Sequence, residues 1–219
     1  LAVWTYQGVK VHWLGHDSFV LEGSKTVVID PFKATGNYKA DVLLISHEHS
    51  DHFSEDDIKR FTSPSTTVVA PKICEGPLAK FSMNKMFVDP GSEVEVKGIS
   101  VEAVPAYNLD KFREPGKVFH PKAEGRVGYI MTLDGVRFYH SGDSDATPEM
   151  KSVDVDVAFL PVSGTYVMTA EEASEAAKAM KTKVAVPMHY GAIVGTVQDA
   201  QRFKELVGTA RQVEILQKE

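Results

Sequence analysis

The chain has a single cysteine, Cys74, among its 219 residues. An intrachain disulfide is therefore impossible, and a thiolate-rich metal site is excluded. Long apolar runs are also missing, and nothing approaches the ~20 residues of a membrane-spanning helix. No charged-then-apolar signal pattern opens the chain, so the expectation is a cytoplasmic protein without a membrane span. Positive charge is scarce: 24 Lys and Arg stand against 30 Asp and Glu, a formal net charge of −6. With an isoelectric point near 5.8 and no basic stripe, no nucleic-acid partner is expected, and small molecules are favoured over polymers. Linkers, low-complexity stretches and short repeats are lacking too, which suits one domain over 1–219.

What is present is a succession of short β-rich runs. "VKVHWLGH" (9–16), "SFVLEG" (18–23) and "KTVVIDP" (25–31) are separated by Gly, Asp and Ser, the punctuation of strands. "DVLLIS" (41–46) is a continuous apolar run, as a strand buried on both faces requires. Ser54 is placed to cap a following helix with Glu55, Asp56 and Asp57 in its first turn and Ile58 and Phe61 facing inward. A strand at 65–71 and a short helix at 75–83 come next, and strands return over 86–107 and 127–140. Asp134-Gly135 lies between two β-rich runs and marks a hairpin. Strands at 155–161 and 183–189 flank a helix over 169–181, where Thr169 and Glu172 have capping-box spacing. A helix over 197–207 and a strand over 212–217 complete the pattern. Two β-sheets packed face to face with helices outside accommodate this order.

"SHEHSDHF" (46–53) puts three histidines and an aspartate at the end of the buried run. If the backbone stays extended through His49, alternation sets His47 and His49 on one side. Asp51 and His52 follow in the turn and can reach a second nearby point, so two adjacent ions fit the spacing. The helical His-Glu-x-x-His arrangement fails, because the residue four after His47 is Asp51.

These residues resemble the metallo-β-lactamase superfamily, whose signature His-x-His-x-Asp-His reads here His47, His49, Asp51, His52. "VVIDP" supplies Asp30, "YHSGDSD" supplies Asp143 where the superfamily has its metal-bridging aspartate, and "VPMHYG" supplies His189. "WLGHDSF", "PAYN", "GTYVMTAEEA" and "PMHYG" look most like the small stand-alone metal-dependent hydrolases related to ascorbate-phosphate lactonase and N-acylphosphatidylethanolamine phospholipase D. The resemblance implies an α/β fold, a four-layer αβ/βα sandwich with the metals at one edge. It implies one or two zinc ions, with manganese or iron as alternatives, held by His47, His49, Asp51, His52, Asp143 and His189. Asp51, His52 and Asp143 would form the catalytic centre, where a metal-bound hydroxide attacks a small phosphodiester, lactone or ester. The antibiotic-degrading pattern, with Cys at the second metal, does not apply, because Asp143 stands there.

One position departs from the pattern. After Pro-Ala the superfamily runs to a histidine, and here Asn108 stands at that place. Imidazole is the better ligand for such ions, so His120 is expected to complete the first site in preference to Asn108. Asp30 is expected to accept from a ligand imidazole, and His16 to face the active-site edge as a substrate contact or structural residue. The altered third ligand also leaves a rival reading, a non-catalytic metal-binding or RNA-associated protein that retains the fold.

Overall fold

The computed structural model describes residues 3–219. Val27, Ile29, Val42, Leu44 and Val69 alternate with Val28, Leu43, Ile45, Val68 and Ala70, and each set enters a different apolar cluster. That alternation makes a sheet buried on both faces. Its strands are β1 (Trp4–Tyr6), β2 (Val9–Gly15), β3 (Ser18–Glu22), β4 (Thr26–Ile29), β5 (Val42–Leu44), β6 (Thr67–Pro71) and β7 (Asn84–Val88), in sequential order. The pairs up to β4 are antiparallel and those from β4 to β7 parallel.

The second sheet begins with β8 (Glu93–Val96) and β9 (Ile99–Pro105). A small hairpin, β10 (Phe112–Glu114) and β11 (Lys117–Val118), then stands apart from both sheets. The sheet continues with β12 (Val127–Leu133), β13 (Val136–His140), β14 (Val157–Pro161), β15 (Val184–Met188) and β16 (Gln212–Val213), in the order β16-β15-β14-β13-β12-β9-β8. Asp134 and Gly135 join β12 to β13 with φ of 51° and 80°, the two left-handed positions of a tight hairpin turn.

Helix α1 (Glu55–Phe61) covers the outer face of the first sheet, with Ile58 and Phe61 in the same cluster as Leu43 and Val68. Two one-turn helices follow, α2 (Glu75–Leu78) and α3 (Pro148–Lys151). Helices α4 (Ala170–Ala179) and α5 (Val197–Val207) pack on each other and over β14 and β15. The αβ/βα sandwich is therefore the fold, and its main apolar cluster draws on β2 to β7 from one sheet and on β8, β9 and β12 to β16 from the other. The Thr169 cap is a full capping box, its side chain accepting from Glu172 N while the Glu172 carboxylate accepts from Thr169 N. No helix among the described residues is long and apolar enough to cross a membrane.

Two expected elements are shorter than their apolar patterns. The helix at 75–83 ends at Leu78, where the short Gly76-Pro77-containing turn is followed by a chain that runs into β7. The strand at 212–217 stops at Val213. Glu214 N still donates to Ala185 O, but in a parallel ladder the next bond would come from residue 187, and Pro187 has no N–H. The chain instead swings to β2, where Glu219 N donates to Trp13 O.

The parallel strands β4, β5, β13, β14 and β15 all finish at the same edge of the sandwich. Chain segments leaving strand C-termini at one edge converge on one crevice. Tyr129 of β12 spans the sheets there, its hydroxyl donating to Ile45 O at 2.8 Å.

Candidate metal centre

Asp30 follows β4, the His47–His52 loop follows β5, Asp143 follows β13, Ser163 follows β14 and His189 follows β15. The tight β2–β3 turn adds His16 and Asp17. His16, Asp30 and His189 adopt positive φ of 53°, 41° and 61°. Left-handed backbone at bulky residues is costly and persists where the surroundings over-determine it. Here it turns three polar side chains into one buried space.

The imidazoles of His47, His52, His120 and His189 are anchored by Nδ1 and aimed by Nε2. His47 Nδ1 meets Ser46 Oγ at 2.9 Å, His52 Nδ1 donates to Asp30 Oδ2 at 2.8 Å, and His189 Nδ1 meets Ser163 Oγ at 2.9 Å. His120 Nδ1 donates to Asn108 Oδ1 at 2.9 Å. Among the described residues, the opposite nitrogens of His52, His120 and His189 are buried without a hydrogen-bond partner, as is Asp143 Oδ1. His47 Nε2 lies 3.2 Å from His49 Nδ1.

Asp143 stands between two groups of these nitrogens. Its Oδ2 is 3.3 Å from His120 Nε2 and 3.8 Å from His47 Nε2. Its Oδ1 is 3.2 Å from His52 Nε2 and 3.3 Å from His189 Nε2, and Asp51 Oδ2 is 3.6 Å from His52 Nε2. Donors of a tetrahedral ion with bonds of about 2.0–2.1 Å lie about 3.3–3.4 Å apart. The donor set therefore fits two neighbouring divalent ions: His47, His49 and His120 at the first, Asp51, His52 and His189 at the second, and Asp143 between them.

The β-lactamase superfamily domain matches residues 10–189. A UPF0173 metal-dependent hydrolase from Archaeoglobus fulgidus is 34% identical over 91% of this chain and 90% of its own length. Its counterpart in Thermococcus kodakarensis is 33% identical over 95% and 96%. The chain belongs to the metallo-β-lactamase superfamily, among its UPF0173 metal-dependent hydrolases. A solved Parabacteroides distasonis structure, titled as a candidate metal-dependent hydrolase, superposes with TM-score 0.82 at 31% identity, covering 94% of this chain and 92% of the other. The metallo-hydrolase Igni18 of Ignicoccus hospitalis shares the fold at TM-score 0.78 and 24% identity, over 96% and 95% of the two chains.

Asn108, the alternative to His120 as a donor, has its amide turned to other partners. Its Oδ1 accepts from both His120 N at 2.8 Å and His120 Nδ1, and its Nδ2 donates to Tyr166 O at 2.8 Å. The amide is consumed in orienting His120. Replacing Asn108 by leucine should weaken metal binding at the first site by about 10–100-fold, the usual cost of losing the partner that orients a ligand imidazole. Titration with a competing chelator would measure it.

Asp30 accepts from His52, from Ser46 N at 2.7 Å and from Ser46 Oγ at 2.5 Å. His16 does not line the cavity over the donors: it is 1% exposed, and its Nε2 donates to Asp51 Oδ2 at 3.0 Å. His140 is structural, with Nε2 donating to Asp17 O at 2.9 Å. Of the three tyrosines near the edge, only Tyr166 lines the metal cavity; Tyr107 donates to Glu149, and Tyr190 packs on Trp13. His12 is buried between Glu22 and Glu219, 2.7 and 2.6 Å away.

Sequence reading missed Asp17, which is fully buried, 3.8 Å from His52 Nδ1, with neither carboxylate oxygen hydrogen-bonded among the described residues. Burial raises its pKa against the pull of His189 and His16. An acid directly after His16 in an otherwise apolar strand–turn–strand was the available signal.

The electrostatics suit cations between these donors. Burial disfavours charge on His47, which stays well below the ordinary imidazole range, and pulls His120 down to about 4 although Asp143 opposes it. At His52 burial is outweighed by the Asp143 and Asp30 carboxylates, which hold it well above its usual value. At His189 burial is outweighed by Asp143 and Asp17, which raise it to about 9. A cation beside His52 and His189 would compete with protons for the same nitrogens, so binding there should weaken as pH falls.

Proposed function

We propose that this chain hydrolyses a small ester, lactone or phosphodiester at two zinc-class ions. The observation that carries the reading is the Asp143 carboxylate, with one oxygen turned to each of two sets of otherwise unpaired imidazole nitrogens. Bound divalent ions would lower the pKa of coordinated water from 15.7 to about 7 and polarise the attacked oxygen.

The chain's own residues supply the rest. Asp30, Ser46, Asn108 and Ser163 fix imidazole orientation, so the donors are set before substrate arrives. The cavity over the centre holds about 140 Å³ and is walled by His49, Asp51, Phe119, His120, Asp143 and Tyr166. It is smaller than the roughly 300–1,000 Å³ of ordinary ligand pockets, which favours a compact reacting group. Phe119 and Tyr166 meet edge to face with ring centres 4.7 Å apart and form the aromatic side of its wall.

A side-chain nucleophile is not part of the proposal. Cys74 is buried, and desolvation together with Glu48 and Asp30 pushes its thiol well above the usual range, so it is a poor source of thiolate. Hydrolysis of a chromogenic panel of esters, lactones and phosphodiesters should vanish on chelation, return with added Zn²⁺ or Mn²⁺, and survive Cys74→Ser. Turnover by fully metal-free protein would overturn the mechanism. Metal-replete protein that is inert on the whole panel would overturn the substrate class.

A further inference from the structure

His49 is the imidazole that the Nδ1 anchors leave out. His47, His52, His120 and His189 each turn Nδ1 to a hydroxyl, carboxylate or amide oxygen. In His49 the order is reversed. Its Nδ1 lies 3.2 Å from His47 Nε2, among the donors, and its Nε2 faces Arg126 Nη2 at 3.3 Å. A nitrogen so close to a guanidinium is a poor place for a second cation, so Nδ1 is the atom His49 offers to the first position. The His49 side chain is 40% exposed, against 1% for His47 and 2% for His120. Packing therefore does least to hold the ring that lacks an anchor.

Arg126 and Glu48 meet this ring as one unit. Arg126 Nε and Nη2 donate to the two Glu48 carboxylate oxygens at 3.1 and 2.5 Å, and Nη1 pairs with Glu124. The forked contact fixes direction as well as charge. Arg126 is 6% exposed and directly precedes β12. Its carbonyl accepts from Ala106 N at 3.0 Å, and the next amide, Val127 N, donates to Ser46 O at 3.2 Å. The guanidinium is thus held between the segment leading to His47 and the segment leading to Asn108, and Glu48 is held through it.

The ring proton decides which member of the pair is the partner. Arg126 can only donate, and the Glu48 carboxylate can only accept. With Arg126 at 3.3 Å, Nε2 accepts and the imidazole proton is on Nδ1. A ring whose Nδ1 holds a cation carries its proton on Nε2 instead. Two donors would then face each other. Glu48 Oε1 lies 3.8 Å from the same nitrogen, and a turn of the half-exposed ring from Arg126 toward Glu48 gives that N–H its acceptor.

We propose that Glu48, braced by Arg126, is the positioning residue of His49: with an ion at the first position its carboxylate accepts from Nε2–H and keeps Nδ1 aimed inward. The inference rests on the two-ion reading above.

Zinc titration of metal-free protein by calorimetry tests it, with E48A and E48Q each built into His189→Ala. Loss of the His189 donor weakens the second position, so the first is read alone. E48A should bind zinc there about 10–100-fold more weakly than its parent, the usual loss when a ligand imidazole is deprived of its partner. E48Q keeps an oxygen acceptor and should recover part of that loss. Equal affinity in E48A and its parent would overturn the assignment, and so would an E48Q as weak as E48A. Long-range ¹H–¹⁵N spectra of zinc-loaded wild type give a reading that needs no variant: the His49 proton should be on Nε2 and the metal on Nδ1. Zinc on Nε2 would overturn the inference and leave the two-ion reading standing. Wild type that takes up no zinc would overturn both.

Discussion

Alanine at position 143 is expected to strip the protein of metal and of hydrolytic activity together. Losing a residue that merely orients a ligand costs about 10–100-fold in affinity, and Asp143 faces both donor groups directly, so its loss should exceed about 100-fold at each position. A second effect adds to the first. Burial of Asp143 is overcome by His52 and His189, which hold its carboxyl well below the usual range. Without that negative charge the buried imidazoles lose the group that balances a cation, and their mutual repulsion is left unopposed. Elemental analysis of purified D143A after dialysis against a weak chelator should find neither ion retained, while D143E, which keeps the charge, should recover part of the metal. Two ions per chain in D143A would remove Asp143 from the centre.

The largest loss of stability is expected from a residue with no chemistry at all. A Cβ on Gly128 would stand 2.5 Å from His140 O, 2.6 Å from Ser141 O and 2.7 Å from Ser141 C. All three are backbone atoms, in the segment that carries β13 into Asp143, so no rotamer change relieves the clash. Gly128→Ala should destabilise by about 3 kcal/mol or more, at or beyond the upper range of overpacking substitutions. The displaced segment should also loosen metal binding. Urea unfolding of the variant against wild type tests the first effect, and a stability change below about 1 kcal/mol would show that the segment yields more easily than its packing implies.

Much of the centre was legible before any fold was known. His47, His49, Asp51 and His52 are read from six consecutive positions, although the strand ends at Leu44 and the chain bends at Glu48 and His49, short of the extended run expected through His49. Hairpin and caps are local: Asp134-Gly135 and Thr169 with Glu172 act through neighbours in the chain. Strand ends were less legible, because Pro187 ends the pairing of β16 from a different strand. His120 could be nominated by ligand chemistry, but what Asn108 does instead depends on Tyr166 and Asp145, distant in sequence and adjacent in space.

The sequence by itself determined the donor inventory, the absence of sulfur from it, the alternating strands and the family. These depend on composition and on contacts a few residues long. Only the tertiary structure decided which nitrogen of each donor imidazole faces the others, that Asp17 lies buried beside His52, and that Arg126 holds Glu48 next to His49. Those outcomes follow from two sheets stacking so that strands remote in sequence end at one edge. Burial there removes water, and every donor must then find its partner in the protein or in what the protein binds.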